Sequence, residues 1–157
     1  MTDVDKEIIG HMANPNNYGR MEDADSIGVG ENPLNGEKVI IYINVSNQED
    51  SLHIDDIKFE AIACMTTVVA GSIITAEAKD ISFERAEELI AVTLGMLENI
   101  PPSEAACSEM VAVALKAAMD GYKLSQESDE KQTVIYKIEQ SCSPEQEFNA
   151  VEEKQEK

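Results

Sequence analysis

Three cysteines, at positions 64, 107 and 142, are the residues of this 157-residue chain best suited to chemistry. Their number is odd and none stands in a CxxC pair, a pattern that suits reduced thiols, as soft ligands or nucleophiles, better than a disulfide framework. Cys64 falls where an alternating, β-branched stretch gives way to one rich in Ala, Val and Ile, and Cys107 closely follows the break Pro101-Pro102. Each thiol therefore sits at or near a helix start, where the positive end of the helix dipole favours thiolate over thiol. A small buried core residue is the blander account of either one, but two thiols at two helix starts weigh against it. Cys142 lies between Ser141 and Ser143 in an acidic stretch and reads as an incidental exposed thiol.

Other candidate chemistry is thinner. The segment Gly28-Val29-Gly30-Glu31-Asn32-Pro33-Leu34-Asn35-Gly36-Glu37 has neither the Lys-Ser/Thr of a P-loop nor a full GxGxxG, and its acidic flanks oppose a phosphate. Glu22-Asp23-Ala24-Asp25 lacks the spaced ligands and closing Glu of an EF-hand and reads as a solvated acidic loop. His11 and His53 have no Cys or His at zinc-finger spacing and read as surface or capping residues. No Ser-His-Asp order or supported carboxylate pair emerges, so the expectation is a protein that is not an enzyme in its own right.

The elements that must position these residues follow from patterning. A short amphipathic helix is expected over 3–12 and Asn/Pro/Gly/Asp-rich loops over 14–36, with at most one strand near 26–30. Residues 39–45 and 57–61 read as an antiparallel hairpin joined through Ser46–Ser51. Ala-, Leu-, Met- and Glu-rich segments then predict helices over 65–78, 83–97 and 103–123, with Ser82 and Ser103 as N-caps. The last of these helices presents Met110, Val111, Ala114, Leu115, Ala117 and Ala118 as core. Strands first and helices afterwards predict an α+β fold, a small antiparallel sheet of about three strands covered by helices on one face. The domain is expected over 1–124, and residues 125–157 read as an acidic, largely disordered tail with one apolar segment, 134–138.

A net charge of −19, from 31 acidic against 12 basic residues, opposes binding to nucleic acid or anionic lipid and favours a basic partner or a bound cation. No apolar run reaches the ~20 residues of a spanning helix, and the first residues carry no basic and apolar leader pattern. A soluble, cytoplasmic protein is the expectation.

In order along the chain, several landmarks resemble the NifU N-terminal domain and IscU family of iron–sulfur cluster assembly scaffolds. They are His11-Met12-Ala13-Asn14-Pro15-Asn16-Asn17-Tyr18-Gly19, then Ala24-Asp25-Ser26-Ile27-Gly28-Val29-Gly30-Glu31-Asn32-Pro33, the hairpin, Cys64, and Pro101-Pro102 ahead of Cys107, with Ala112–Tyr122 trailing. The resemblance implies a scaffold that receives sulfur from a cysteine desulfurase, builds a transient cluster of the two-iron (2Fe-2S) type, and passes it to recipient apo-proteins; zinc is the other metal it implies. It places Cys64 and Cys107 at the second and third cluster-cysteine positions, Asn35 at the first, and Glu37 where the family has an aspartate. Ala106 stands where many members have histidine, and Ile100-Pro101-Pro102-Ser103-Glu104 replaces the terminal lysine of the chaperone-docking motif by glutamate. Iron would thus meet two soft thiolates and one hard carboxylate in each chain, unless a homo-oligomer supplied four thiolates from two chains. The same departures leave open a divergent homologue acting as a regulatory or interaction module, or a zinc-bound sulfur-transfer partner.

Overall fold

A computed structural model describes residues 3–33, 36–128 and 133–138. Helix α1 (Asp3–Ala13) precedes strands β1 (Ser26–Asn32), β2 (Glu37–Gln48) and β3 (Ser51–Ile62); helices α2 (Met65–Ala78), α3 (Phe83–Leu97) and α4 (Pro102–Ser128) follow, then strand β4 (Val134–Lys137). The sheet order is β3-β2-β1-β4, with β1–β2 and β2–β3 antiparallel and β4 parallel to β1.

The expected α+β class is found, with two corrections. The sheet has four strands rather than about three, and it is mixed, because Val134–Lys137 pairs alongside Gly28–Glu31. The folded part also continues past residue 124: α4 runs to Ser128 and β4 belongs to the sheet, with Ile138 buried and its N–H donating to the Glu31 carbonyl at 2.9 Å. The remainder of the acidic stretch, including Cys142, lies outside the described residues. The hairpin is longer than its apolar centre. Gln48 pairs with Ser51 across a two-residue turn in which Glu49 and Asp50 both take positive φ, as a tight hairpin of this hand requires.

Strand alternation sends one face of the sheet to the helices. Val39, Ile41, Ile43, Ile57 and Phe59 are all fully buried on it. Gly28 pairs with Ile41 and Gly30 with Val39, so the two glycines share that face. A Cβ at Gly28 would lie 2.1 Å from the Ala118 nitrogen, and one at Gly30 would lie 2.2 Å from the Met110 carbonyl oxygen. Helix α4 therefore rests backbone to backbone on β1, and only glycine fits beneath it. Its lower face is correspondingly small: Ala106, Ala114, Ala117 and Ala118 are buried, and Ser26 Oγ donates to the Ala118 carbonyl at 2.6 Å. Gly71 in α2 instead makes room for a side chain: a Cβ there would lie 2.4 Å from the Phe59 ring.

Among the described residues no helix is long and apolar enough to cross a membrane.

Candidate functional site

Cys64 ends the turn between β3 and α2 as the residue that caps α2, in extended conformation with φ −74° and ψ 168°. Cys107 lies in the second turn of α4, whose first residue is Pro102, a position where proline's missing N–H costs nothing. The glycine seat under α4 sets the height of that helix above the sheet, and β3 carries Cys64 to the same end. The two sulfurs stand 3.7 Å apart. Cys64 is exposed and Cys107 is 4% exposed, so only one of the pair faces solvent.

Burial pushes the Cys64 thiol up, but it is outweighed by the Thr67 main-chain N–H, the Thr67 hydroxyl at 3.7 Å, Cys107 and the Thr66 N–H, which together hold the thiol below its ordinary value. No full capping hydrogen bond forms from the helix end to the sulfur, so this is proximity of donors and dipole rather than one short contact. Thr67 is fully buried beside the site, and inspection of the cysteines alone overlooks it. Its signal is the Cys-x-x-Thr spacing, which puts residue 67 over the sulfur of a capping residue.

Glu37 opens β2 at the same end of the sheet: it pairs with Asn32, and its neighbour Lys38 pairs with Ile62, two residues before Cys64. One of its carboxylate oxygens, Oε2, is buried. Among the described residues, however, no three His, Cys, Asp or Glu side chains gather closely enough to hold a metal ion, so Glu37 does not close a triad with the two sulfurs. Asn35 lies outside the described residues.

The remaining landmarks have structural roles. His11 Nδ1 contacts Ser72 Oγ at 2.6 Å, the Asn16 N–H donates to the same hydroxyl at 2.7 Å, and Asn17 Nδ2 donates to Thr75 Oγ1 at 3.2 Å. The segment after α1 is thereby tied to α2, and Tyr18 stacks edge-on against Phe59. The His53 ring lies 3.2 Å from the Ser51 carbonyl, and the residue pairs with Ser46 in the sheet and bridges to Ser82. Asp25 departs from the expectation of a solvated acidic loop: its carboxylate accepts from the Val45 N–H at 2.8 Å, where the β2–β3 register shifts between Asn44 and Val45.

The class these features define is a small α+β domain with a four-stranded sheet, helices on one face and a thiol pair at its end. Comparison with known proteins agrees. Residues 3–129 match the NifU-like N terminal domain family. The iron-sulfur cluster assembly scaffold protein IscU 1 of Archaeoglobus fulgidus is 33% identical over 120 residues, covering 74% of each chain. The iron-sulfur cluster assembly scaffold protein IscU of Haemophilus influenzae is 31% identical over 124 residues, covering 77% of this chain and 96% of its own. In three dimensions the chain is similar to a putative iron-sulfur cluster assembly scaffold protein for the SUF system from Fervidobacterium islandicum AW-1, with TM-score 0.54, 16% identity, and 73% and 94% of the two chains covered. The chain belongs to the NifU-like N terminal domain family.

Proposed function

We propose that the protein is a scaffold of iron–sulfur cluster assembly, with iron and sulfide as its cargo and Cys64 and Cys107 as the ligands that first hold them. The observation that carries this reading is the spacing of the two sulfurs. Thiolates bound to one tetrahedral metal at ~2.3 Å stand about 3.8 Å apart, and here the separation is 3.7 Å. The pair thus matches one edge of a metal's coordination shell without rearrangement. Membership of a family whose curated relatives carry scaffold names supports the same reading.

The role is to hold and pass on, not to turn over a substrate. A cysteine desulfurase is the proposed sulfur source and apo-proteins the recipients, in the cytoplasm; the charge of −19 suits donors or recipients with basic docking faces. Glu37 is the proposed auxiliary oxygen donor, its carboxylate swinging toward the sulfurs when iron arrives. A two-iron cluster takes four protein ligands in ordinary cases, so a second copy of the chain is the proposed source of the missing thiolates. Zinc, which accepts the same donor set, is the competing metal.

Anaerobic reconstitution of the untagged protein with ferrous iron, sulfide and reductant tests the reading. Visible absorption and bound iron and sulfide should appear in the wild type and vanish in Cys64→Ala and Cys107→Ala. A wild type that retains neither iron, sulfide nor zinc overturns it in favour of an interaction module.

A further inference from the structure

Two sulfurs in contact can do more than share a metal. One is exposed and the other sheltered behind it, and this asymmetry separates the pair from two equivalent ligands. We propose that Cys64 and Cys107 form an acceptor and resolving pair that converts persulfide sulfur into sulfide. Cys64 takes the terminal sulfur from a persulfide, and Cys107 expels it as sulfide by closing a Cys64–Cys107 disulfide.

In the first step the Cys64 sulfur attacks the terminal sulfur of a persulfide R–S–SH. A Cys64–S bond forms, the R–S bond to that sulfur breaks, and R–SH departs with the thiol proton, leaving Cys64–S–SH. In the second step the Cys107 sulfur attacks Sγ of Cys64. The Sγ–Sγ bond forms, the bond to the outer sulfur breaks, and that sulfur leaves as hydrogen sulfide with the Cys107 proton. The two electrons that take sulfane sulfur to sulfide come from the two cysteine sulfurs, so one round needs no metal and no outside reductant. A dithiol reductant reopens the disulfide for the next round.

The geometry assigns the roles. Cys107 is too buried to meet a donor, whereas Cys64 is open to one and caps α2 between the exposed Ile62 and Met65. Attack on Sγ of Cys64 starts from 3.7 Å, near the separation from which reacting atoms proceed, and closing to a disulfide at ~2.05 Å asks for side-chain rotation at a helix start, not rearrangement of the core. The expelled sulfide leaves toward the solvent side of Cys64, beside the iron-binding edge proposed above. This inference rests on that reading only in taking the pair as the point where sulfur arrives; the chemistry itself is metal-free.

The test uses the full, reduced, chelator-treated chain without iron, mixed anaerobically with an excess of glutathione persulfide. Released sulfide is measured together with the intact mass and the peptide map. The expected result for wild type is about one sulfide per chain beyond the donor blank, a mass loss of two hydrogens, and a Cys64–Cys107 cross-link. Cys107→Ser should instead accumulate a persulfide on Cys64, seen as a gain of one sulfur atom, with sulfide release reduced at least tenfold. Cys64→Ser should show neither, and Cys142→Ser should behave as wild type. The proposal is overturned if Cys107→Ser releases sulfide at the wild-type rate, if wild type keeps a stable persulfide, or if the cross-link involves Cys142. Circular dichroism of each variant guards against misfolding. Reconstitution of the wild type with iron and inorganic sulfide separates the two readings. Cluster formation without persulfide conversion removes this inference alone, and conversion without cluster formation removes the scaffold reading alone.

Discussion

Replacing one hydrogen by a methyl group at position 28 would drive a carbon into the backbone of α4, 2.1 Å from the Ala118 nitrogen and 2.5 Å from the Ala114 carbonyl oxygen. Neither atom is the end of a flexible side chain, so the helix must lift. Gly28→Ala is expected to lower unfolding free energy by about 3 kcal/mol or more, read from urea denaturation. Gly95, in α3 with open space around it, is the control: Gly95→Ala should raise stability by up to ~1 kcal/mol. The role of these glycines was illegible in the sequence for a physical reason. A residue without a side chain leaves no apolar periodicity, so Gly28 and Gly30, although they fall in the one strand expected near 26–30, give no sign of the helix that packs on them. The thiols were legible because each sits at a helix start that local patterning marks. Their contact was not, since 43 residues separate them and no local rule fixes so distant a pair. Asn35 carries the third residue-scale expectation. If the scaffold holds cargo with two thiolates from one chain, Asn35→Cys should make reconstituted iron and sulfide at least tenfold slower to leave to a chelator, while metal-free stability stays within ~0.5 kcal/mol. If two chains already supply four thiolates, chelator resistance should not change.

Strand β4 shows what one element contributes and what sequence patterning omits. Four residues among acidic neighbours carry little strand signal, and the partner that makes them a strand lies far away: Val134 pairs with Gly28 and Lys137 with Glu31. By contrast, α2 and α3 were legible to within a residue, because their spacing, the Ser82 cap and the proline break are local. The strand is fastened to α4 by Tyr136, whose hydroxyl donates to Asp120 Oδ2, and by Lys116 lying 5.8 Å from the Tyr136 ring centre. The bond to Asp120 first, then burial and the Asp120 charge, push the Tyr136 phenol from 10.0 up to about 12. Tyr42 is also pushed up to about 12, by burial first and then by its bond to Glu60. The folded protein therefore keeps protons that the unfolded chain gives up above pH 10, so stability that is full below pH 10 falls as pH rises toward 12. Urea midpoints measured across that window should decline, and the decline should be shallower in both Tyr136→Phe and Tyr42→Phe.

At the scale of the whole molecule, a charge of −19 works against compactness, and the exposed ion pairs Lys79–Asp56 and Lys123–Glu87 offset little of it. Raising sodium chloride from about 0.05 to 0.5 M should screen the repulsion and lift the melting temperature by roughly 3–6 °C, measurable by calorimetry. A melting temperature that does not move would place the excess charge too far apart to matter. Among the described residues the β1 and β3 edges of the sheet, meanwhile, are partly covered, and β4 is the outer strand on one side. β4 covers β1, while on the far side β3 bonds to residues 17–19 through Phe59 and to Asp80 and Ile81 through Ile54. The total charge was legible from composition, but this cover was not, because it joins segments distant in the chain. The parallel seam between residues 28–31 and 134–137 also imposes a timetable. A ribosome adding ~5–20 residues per second needs about 5–20 s to pass from one strand of that seam to the other. Partway through that interval the hairpin and Cys64 have been made, but the glycine seat is bare, the β1 edge is open, and Cys107 has yet to follow. A nascent chain thus has an acceptor thiol before it has the partner that would resolve it, and chaperone cover for this interval, rather than for the finished fold, is the need the topology creates.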